Sequence, residues 1–406
     1  MKYDPKNEYV VDIRNPEIIK RIDRSRKLYL TFSKKWKRKL DLSKPETIRR
    51  AYEDAKKKGI FREAQKIREL IFGKKIYFYG VSYLWDACVN YCKYCPGSIP
   101  NRKKAISQGK EYPLRELTVK QAVADTKAVM KDGHTHICYL SGSAPGREEL
   151  PKKLVPYLIE FDKLGLNEII LNIEPPTEEG FEMIRKAVKN TPLQFRVFQE
   201  TYNRRTYKKM HGTKGPKADY DFRRQSQARA IEAGIDNVGL GALFGLHRFP
   251  IEEIEGLRKH AEELENKYGV IPVRVCLPSA NELQNIGVKI PYLLERGKYG
   301  KKRIIKKSYY ELFNELMYAL ARLAMPEINI VSSERDRPAM LKILDKYATC
   351  TTLNVHPGVG DNAGIFKDVG CSGCEKTHFE QATTFPRNPK ETLNEMKKRG
   401  YEPVFY

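Results

Sequence analysis

From residue 76 onward, two patterns of apolar residues alternate along the chain. Short runs rich in Ile, Val, Leu and aromatic residues are separated by amphipathic stretches of helical period, which is typical of repeated strand–helix units and a parallel sheet. The runs predict eight strands, at 76–84, 136–140, 168–173, 193–198, 236–243, 271–277, 327–332 and 349–355. Helices are predicted after the first seven, at 118–132, 147–164, 177–189, 221–233, 251–267, 308–324 and 336–346. This alternation predicts an α/β fold, a closed (βα)8 barrel of the TIM type, with its chemistry at the C-terminal ends of the strands.

The regions outside the predicted barrel have other patterns. Residues 14–72 alternate Leu and Ile with Lys, Arg and Glu at helical spacing, so an N-terminal helical extension is predicted over 1–74. The barrel is expected over 75–356, with a long loop at 278–307 before the seventh strand. Residues 357–406 are expected to form a loop-rich C-terminal tail that carries a pair of cysteines.

The charge of the chain is strongly positive. Among 406 residues, 75 Lys and Arg stand against 51 Asp and Glu, a net charge of +24. Because 31% of the residues are charged and both signs are abundant, a Lys/Glu-rich surface of the thermophile type is favoured over nucleic-acid binding. Two basic runs, 34–39 (KKWKRK) and 298–307 (KYGKKRIIKK), keep the nucleic-acid alternative open. No apolar run reaches about 18 residues and no signal-peptide core opens the chain, so a cytoplasmic protein is expected.

Three of the eight cysteines form the most informative motif. Cys88, Cys92 and Cys95 give C-x3-C-x2-C directly after the first predicted strand. Three thiolates at this spacing suit three corners of a 4Fe–4S cluster and leave the fourth iron open for a ligand. The alternative is a zinc site, which prefers paired knuckles and a fourth Cys or His. No further Cys or His stands close enough in sequence to complete one.

With this motif in view, the chain resembles the radical S-adenosylmethionine (SAM) superfamily. The stretch 199–246 is similar to the tyrosine-lyase branch, through QETYN, TYKKMH, GPK-x-DY, AGID and VGLGAL in that order. That branch includes 2-iminoacetate synthase of thiamine biosynthesis, the [FeFe]-hydrogenase maturase and the archaeal radical enzyme linked to the [Fe]-hydrogenase cofactor. The resemblance covers roughly residues 70–355. It implies a 4Fe–4S cluster on the three cysteines, SAM as cofactor, and cleavage of SAM to a 5′-deoxyadenosyl radical.

The resemblance also implies residues that contact SAM. Tyr94 matches an aromatic position near the adenine, and Gly239 and Gly241 would let the adenine approach the fifth strand. Glu200, at the end of the fourth strand, matches a pocket residue that can hold the methionine ammonium. Arg229 matches an Arg placed for the methionine carboxylate.

Ser141, Gly142 and Ser143 follow the second strand, where many members carry Gly-Gly-Glu or Gly-Glu. Here Ser143 replaces the acidic residue, so the ammonium contact from that loop is not implied. His211, in the TYKKMH run, is expected to be structural. Asn172 and Glu174 end the third strand, where they could line the barrel mouth, or Glu174 could cap the next helix.

The chain departs from the tyrosine lyases after the eighth strand. Their Ser-Arg-Thr segment is replaced by LNVHPGVGDNAG at 353–364, which holds His356, Asp361 and Asn362. Tyrosine as substrate therefore does not follow. Arg335, in VSSERDRP, is a candidate for a substrate carboxylate, or it simply begins a helix.

A second metal or cluster site is a further hypothesis. Cys371 and Cys374 form C-x2-C in the tail, and Cys350, His356 and His378 are candidate further ligands. The alternative is a redox-active or incidental cysteine pair.

These observations predict a radical SAM enzyme of cofactor biosynthesis. It would act on a small amino-acid-like or aromatic precursor by cleavage or rearrangement of a C–C bond. An acidic electron donor of the ferredoxin or flavodoxin type is implied and suits the positive charge. Two alternatives remain at this stage: a radical SAM enzyme that modifies RNA or another macromolecule, and a non-catalytic iron–sulfur carrier.

Overall fold

The fold is described from a computed structural model of the chain. It describes residues 15–109, 113–279, 291–292, 294, 308–356, 358–366 and 386–405. The basic run at 298–307 lies outside these residues.

Eight parallel strands close into a barrel, as the sequence predicted. Consecutive strands pair from β2 to β8, and β1 pairs in parallel with both β2 and β8. Each predicted strand is present, shifted at its ends by at most a few residues. The strands are β1 (Lys75–Trp85), β2 (His136–Ser141), β3 (Glu168–Asn172), β4 (Leu193–Arg196), β5 (Asn237–Gly241), β6 (Arg274–Cys276), β7 (Asn329–Val331) and β8 (Cys350–Thr352).

Helices follow the strands and cover the outside of the barrel. The helix predicted over 221–233 is divided in two, because Gln225 departs from helical geometry with φ −90° and ψ 2°. From the barrel's first strand to its last, the helices are α4 (Ile99–Ser107), α5 (Val119–Lys131), α6 (Leu150–Phe161), α7 (Glu178–Ala187), α8 (Arg204–His211), α9 (Tyr220–Arg224), α10 (Ser226–Glu232), α11 (Pro250–Tyr268), α12 (Tyr309–Ala324) and α13 (Pro338–Leu344).

The N-terminal extension is helical, as predicted, and packs against α12. It consists of α1 (Pro16–Trp36), α2 (Glu46–Lys57) and α3 (Ile60–Phe72). Every residue of α12 after its first is buried, which a barrel helix reaches only when a second layer covers its outer face. The Tyr52 hydroxyl of α2 donates to a Glu315 carboxylate oxygen of α12 at 2.7 Å. The extension and the barrel thus share one apolar core.

The basic run at 34–39 lies at the end of α1, and three of its cations have acidic partners. Lys35 pairs with Asp54 at 2.9 Å, Lys37 with Glu255 at 2.7 Å and Arg38 with Glu252 at 3.1 Å. Because neutralised cations attract phosphate weakly, this run gives little support to the RNA alternative. No helix in the described part of the chain combines the length and apolar character that a bilayer crossing requires.

The end of the chain adds a helix and a strand that the sequence patterns did not predict. They are α14 (Pro389–Lys398) and β9 (Glu402–Phe405). β9 runs parallel to β1, with Lys75 opposite Glu402 and Phe78 opposite Phe405. The rings of Phe78 and Phe405 stack with centroids 5.1 Å apart. An apolar run of only four residues carries too little periodicity to identify such a strand beforehand.

Candidate active site

The cysteine motif lies where the sequence placed it, on the loop between β1 and α4. The start of α4 fixes the backbone of this loop. The Asn101 amide donates to the carbonyl of Cys95 at 2.8 Å, and the Arg102 guanidinium donates to that of Cys88 at 2.8 Å. Cys88, Cys92 and Cys95 all line one cavity at the mouth of the barrel.

The loop after β2 packs directly against the cysteine loop. The Gly142 amide donates to the carbonyl of Trp85 at 2.8 Å, and the Trp85 indole donates to the carbonyl of Gly142 at 2.9 Å. A Cβ on Gly142 would lie 2.0 Å from the carbonyl oxygen of Ala87, so only glycine permits this approach. Ser141, Gly142 and Ser143 all line the cavity.

The hydroxyl of Ser143 is the polar centre of this contact. It accepts hydrogen bonds from the Asn90 amide at 2.8 Å and the Val89 backbone amide at 3.3 Å, and it lies 3.1 Å from Cys88 Sγ. Ser143 stands at the position where the resembled family often carries a glutamate, and in this chain its hydroxyl holds the cysteine loop in place.

Charged side chains form the opposite wall of the cavity. Glu200 follows β4 with a left-handed φ of 67°, and its carboxylate accepts from the Lys217 ammonium at 2.6 Å. Glu174 accepts from the Asn90 amide at 3.1 Å and lies 3.9 Å from the guanidinium of Arg223. The cap of α7 is Thr177, so Glu174 serves the cavity and not the helix. Two buried ion pairs thus face the three cysteines.

The three thiols lie together at one cavity. Within the described ranges, no three His, Cys, Asp or Glu side chains converge on a point where one metal ion could bind. Cys88, Cys92 and Cys95 nevertheless surround one cavity, as ligands of a larger polynuclear group would. Burial raises the pKa of the Cys92 thiol, and the nearby Lys217 ammonium opposes that rise. Lys217 therefore favours the thiolate that metal binding needs.

Tyr94 lies behind the cysteines in a small apolar cluster with Cys92, Cys95 and other residues. Its hydroxyl is 2.9 Å from His211 Nε2, while His211 Nδ1 is 3.0 Å from the Tyr207 carbonyl oxygen. Burial holds the pKa of His211 well below its usual value. A neutral imidazole that donates from Nδ1 and accepts at Nε2 satisfies both contacts, which is the structural role expected for His211.

Arg229 is not brought to the cavity. Its guanidinium donates to the Phe222 carbonyl at 2.7 Å and lies over the Phe222 ring, with its central carbon 3.7 Å from the ring centroid. The cation that lines the cavity from this part of the chain is Arg223. The space beside Gly239 and Gly241 is taken up by the side chains of Arg196 and Phe198, which a Cβ at either glycine would contact.

The candidates for a second metal site are only partly described. Cys350 is buried on β8, where the neighbouring Arg274 and Arg196 oppose the rise of its thiol pKa on burial. Cys371, Cys374 and His378 lie outside the described residues. The second site stays a prediction.

An inner chamber adjoins the cysteine cavity. The two share the lining residues Tyr83, Leu140, Asn172, Phe198 and Arg335. Arg335 precedes α13, which begins at Pro338, so Arg335 faces the chamber instead of starting the helix. From the cysteines, the cavity thus leads into the barrel interior.

Sequence reasoning did not single out Asn90, Lys217 or Arg223. Asn90 and Lys217 stand inside motifs that carried the resemblance, WDACVNYC and GPK-x-DY. Their presence in these motifs was the one sign in the sequence that they could belong to the site. However, nothing in their spacing shows that an amide and an ammonium group meet the cysteine cavity from two distant loops.

Comparisons with known proteins agree with this geometry. No family model matches the chain. It is 29% identical over 352 residues to 2-iminoacetate synthase of Salmonella typhimurium, a match that covers 85% of this chain and 81% of the relative. It is 27% identical over 178 residues to 3-methylornithine synthase of Methanosarcina acetivorans, covering 43% of this chain and 47% of the relative.

Among solved structures, the fold is similar to HydG, a maturase of the [FeFe]-hydrogenase. The TM-score is 0.73 at 26% identity, over 97% of this chain and 80% of that one. The motif, the barrel and these relatives together support the radical SAM superfamily for this chain, in its tyrosine-lyase-like branch.

Proposed function

We propose that this protein is a radical SAM enzyme that acts on a small amino-acid-like substrate in cofactor biosynthesis, by cleavage or rearrangement of a C–C bond. One observation carries the proposal: three cysteines, the Ser141–Ser143 loop and Glu200 surround one cavity that continues into the barrel interior. The relatives named above are synthases and a maturase, which supports an enzyme over a carrier.

The cysteine cavity has the donors that the two cofactors need. Cys88, Cys92 and Cys95 would hold a 4Fe–4S cluster. Glu200 would accept the methionine ammonium of SAM, and Arg223, which occupies the cavity where Arg229 was expected, would receive its carboxylate. Bound there together, the two groups would supply reductive cleavage of SAM to a 5′-deoxyadenosyl radical, with the electron taken from an external reductant. The adenine contact expected of Tyr94 stays a prediction, and adenine contacts at Gly239 and Gly241 would require the side chains of Arg196 and Phe198 to move aside.

The inner chamber would hold the substrate. Its wall is built largely from apolar and aromatic side chains, which exclude water from a reactive radical. Arg335 lies where the chamber meets the cysteine cavity, so a polar end group of the substrate bound there would hold the reacting C–H or N–H bond beside SAM. Such positioning is the main catalytic contribution available to the protein.

The electron donor would dock beside the cysteine loop. Segments 87–109 and 203–218 contain no Asp or Glu and are tied together by the Lys93 amide, which donates to the Met210 carbonyl at 2.9 Å. The exposed cations of this surface include Lys93, Lys103, Lys104, Lys208 and Lys209. A cationic surface this close to the cluster suits an acidic protein of the ferredoxin or flavodoxin type.

Docking is tested by charge reversal. In a Lys208→Glu, Lys209→Glu variant, formation of 5′-deoxyadenosine with reduced flavodoxin should slow at low salt, while the rate with dithionite stays unchanged. Lys186→Glu, an exposed position on α7, is the control and should behave as wild type with both reductants. Equal slowing with dithionite would contradict the proposed docking surface.

The activity is tested by anaerobic reconstitution with iron and sulfide, followed by SAM and dithionite, with and without tyrosine. We expect 5′-deoxyadenosine by mass spectrometry, and its loss in Cys92→Ala. The control is Ser25→Ala, which truncates a buried polar side chain of the helical extension, far from the cysteine motif in sequence, and should keep the product. Bound iron without 5′-deoxyadenosine would favour the carrier alternative, and stimulation by tyrosine would identify a tyrosine lyase.

A further inference from the structure

Arg196 is a buried cation in the wall of the inner chamber. It is the last residue of β4 and is only 3% exposed, yet it lines the chamber together with Tyr79, Cys138 and Cys276. A guanidinium group cannot lose its charge at any ordinary pH. This part of the barrel interior therefore carries a permanent positive charge.

The neighbouring strand makes room for this side chain. Arg196 pairs with Gly239 of β5, and a Cβ on Gly239 would lie 2.8 Å from Arg196 Cγ. The guanidinium carbon lies 4.5 Å from the centroid of the Tyr79 ring, a cation–π contact. Glycine on one side and an aromatic face on the other hold the guanidinium in the barrel interior.

Within the described residues, hydrogen-bond acceptors for Arg196 are missing. Its Nε and Nη1 atoms are buried and have no partner. Arg274, the next cation in the interior, is different, because its Nη1 donates to Glu168 at 2.7 Å and to Gln194 at 2.9 Å. A buried charge without a hydrogen-bonding partner destabilises the fold. Such a charge is therefore expected where a bound ligand supplies the missing partner.

The other ionisable groups around the chamber do not neutralise Arg196. Its charged and ionisable neighbours are the Tyr79 phenol, the thiols of Cys138 and Cys276, and the like-charged Arg274. Burial raises the pKa values of Tyr79 and Cys276, which keeps both groups uncharged. The carboxylate of Glu334, which also lines the chamber, is bound by Arg387 at 3.0 Å and by the Val355 amide at 2.7 Å.

We propose that Arg196 binds an anionic group of the substrate in the inner chamber. The substrate would then be a small carboxylic acid whose carboxylate meets Arg196, with an apolar or aromatic body against the rings of Tyr79, Phe198 and Tyr318. Its opposite end would point to the cysteine cavity. This inference rests on the proposed function for the identity of the chamber, and it adds a recognition residue on β4 that neither the motifs nor the relatives identified.

The experiment measures binding to the reconstituted protein by calorimetry, without turnover. The probes are acid and amide pairs: L-tyrosine and L-tyrosinamide, 4-hydroxyphenylacetate and 4-hydroxyphenylacetamide, succinate and succinamide, with inorganic phosphate as a separate probe. For at least one pair, the wild type should bind the acid roughly 10- to 100-fold more tightly than the amide, the ratio for a charge-assisted hydrogen bond. Arg196→Gln should reduce that ratio to about one, and Arg196→Lys should keep part of it.

Arg38→Gln is the matched control, because it removes one cation from an exposed position on the helical extension and should retain the wild-type ratio. The thermal transition of each variant is recorded alongside. An unpartnered cation predicts that Arg196→Gln unfolds at or above the wild-type temperature, whereas a purely structural arginine predicts a lower one.

Three results would overturn the inference: no acid preference in the wild type, an acid preference that survives in Arg196→Gln, or Arg196-dependent binding of phosphate alone. Failure of the proposed function is distinguishable, because it appears as absent 5′-deoxyadenosine whether or not acids bind. Conversely, 5′-deoxyadenosine without acid preference would overturn the role of Arg196 alone.

Discussion

The contact between Gly142 and the cysteine loop gives the sharpest test of the site. Gly142→Ala adds a single methyl group at the point where the two loops touch. That carbon would lie 2.0 Å from the Ala87 carbonyl oxygen and 2.9 Å from the Asp86 carbonyl carbon. Both neighbours are backbone atoms, which no rotamer change can move aside.

The size of the effect follows from these distances. To reach an ordinary van der Waals contact, the methyl carbon and the Ala87 oxygen must separate by about 1.4 Å. The two hydrogen bonds between Gly142 and Trp85 resist that movement. We expect a loss of about 1–3 kcal/mol of stability from overpacking. A displacement of about 1 Å in a catalytic group can cost roughly 100-fold in rate, and Cys88 follows Ala87 directly.

The assay compares iron content after reconstitution and the rate of 5′-deoxyadenosine formation in wild type and Gly142→Ala. Gly165→Ala is the control, because Gly165 has no atom within 4 Å of its added Cβ, although its left-handed φ of 73° strains any side chain placed there. Backbone strain alone should destabilise that variant by about 1–2 kcal/mol and leave the rate unchanged. A Gly142→Ala protein with wild-type iron content and rate would refute the role assigned to this contact.

Three other substitutions have defined outcomes. Ser143→Ala removes the acceptor of the Asn90 amide and should cost about 1 kcal/mol of stability, with faster release of iron to a chelator; unchanged release would contradict it. Arg274→Met leaves the Glu168 carboxylate, 2% exposed, without its cation and should lower the free energy of unfolding by about 3–5 kcal/mol in urea; a neutral result would mean that the pair is dispensable. Burial raises the pKa of Glu253 to about 7 from 4.5, so the folded chain holds this proton more tightly than the unfolded chain and stability falls as pH rises through that window. Glu253→Gln should remove that slope, and an identical pH profile for variant and wild type would contradict the assignment.

The barrel could be predicted because parallel strands buried on both faces produce continuous apolar runs. Eight of these runs were visible, and each became a strand. The break at Gln225 in the helix predicted over 221–233 was not visible, because that segment contains no Gly or Pro to interrupt the helical pattern. That break separates Arg223, which lines the cavity, from Arg229, which packs on Phe222. A continuous helical pattern cannot tell which of two arginines turns inward.

The site was predictable only where the motif is local. Cys88, Cys92 and Cys95 lie within eight residues, so their spacing alone indicates a shared ligand. The Glu200–Lys217 pair and the contact of Asn90 with Ser143 join segments that are far apart along the chain, and no periodicity records such contacts. Arg196 is a similar case, since a lone cation within an apolar strand identifies neither its partner nor the lack of one.

The placement of β9 has a consequence for the order in which the molecule assembles during synthesis. β1 needs β2, β8 and β9 to pair along its full length, and β9 lies more than 300 residues downstream. While the ribosome is still making the intervening chain, Lys75–Phe78 presents a hydrophobic strand without neighbours, the kind of edge that recruits other chains. The full pairing of β1 is therefore among the last steps of folding, because it must wait until residues 402–405 have emerged.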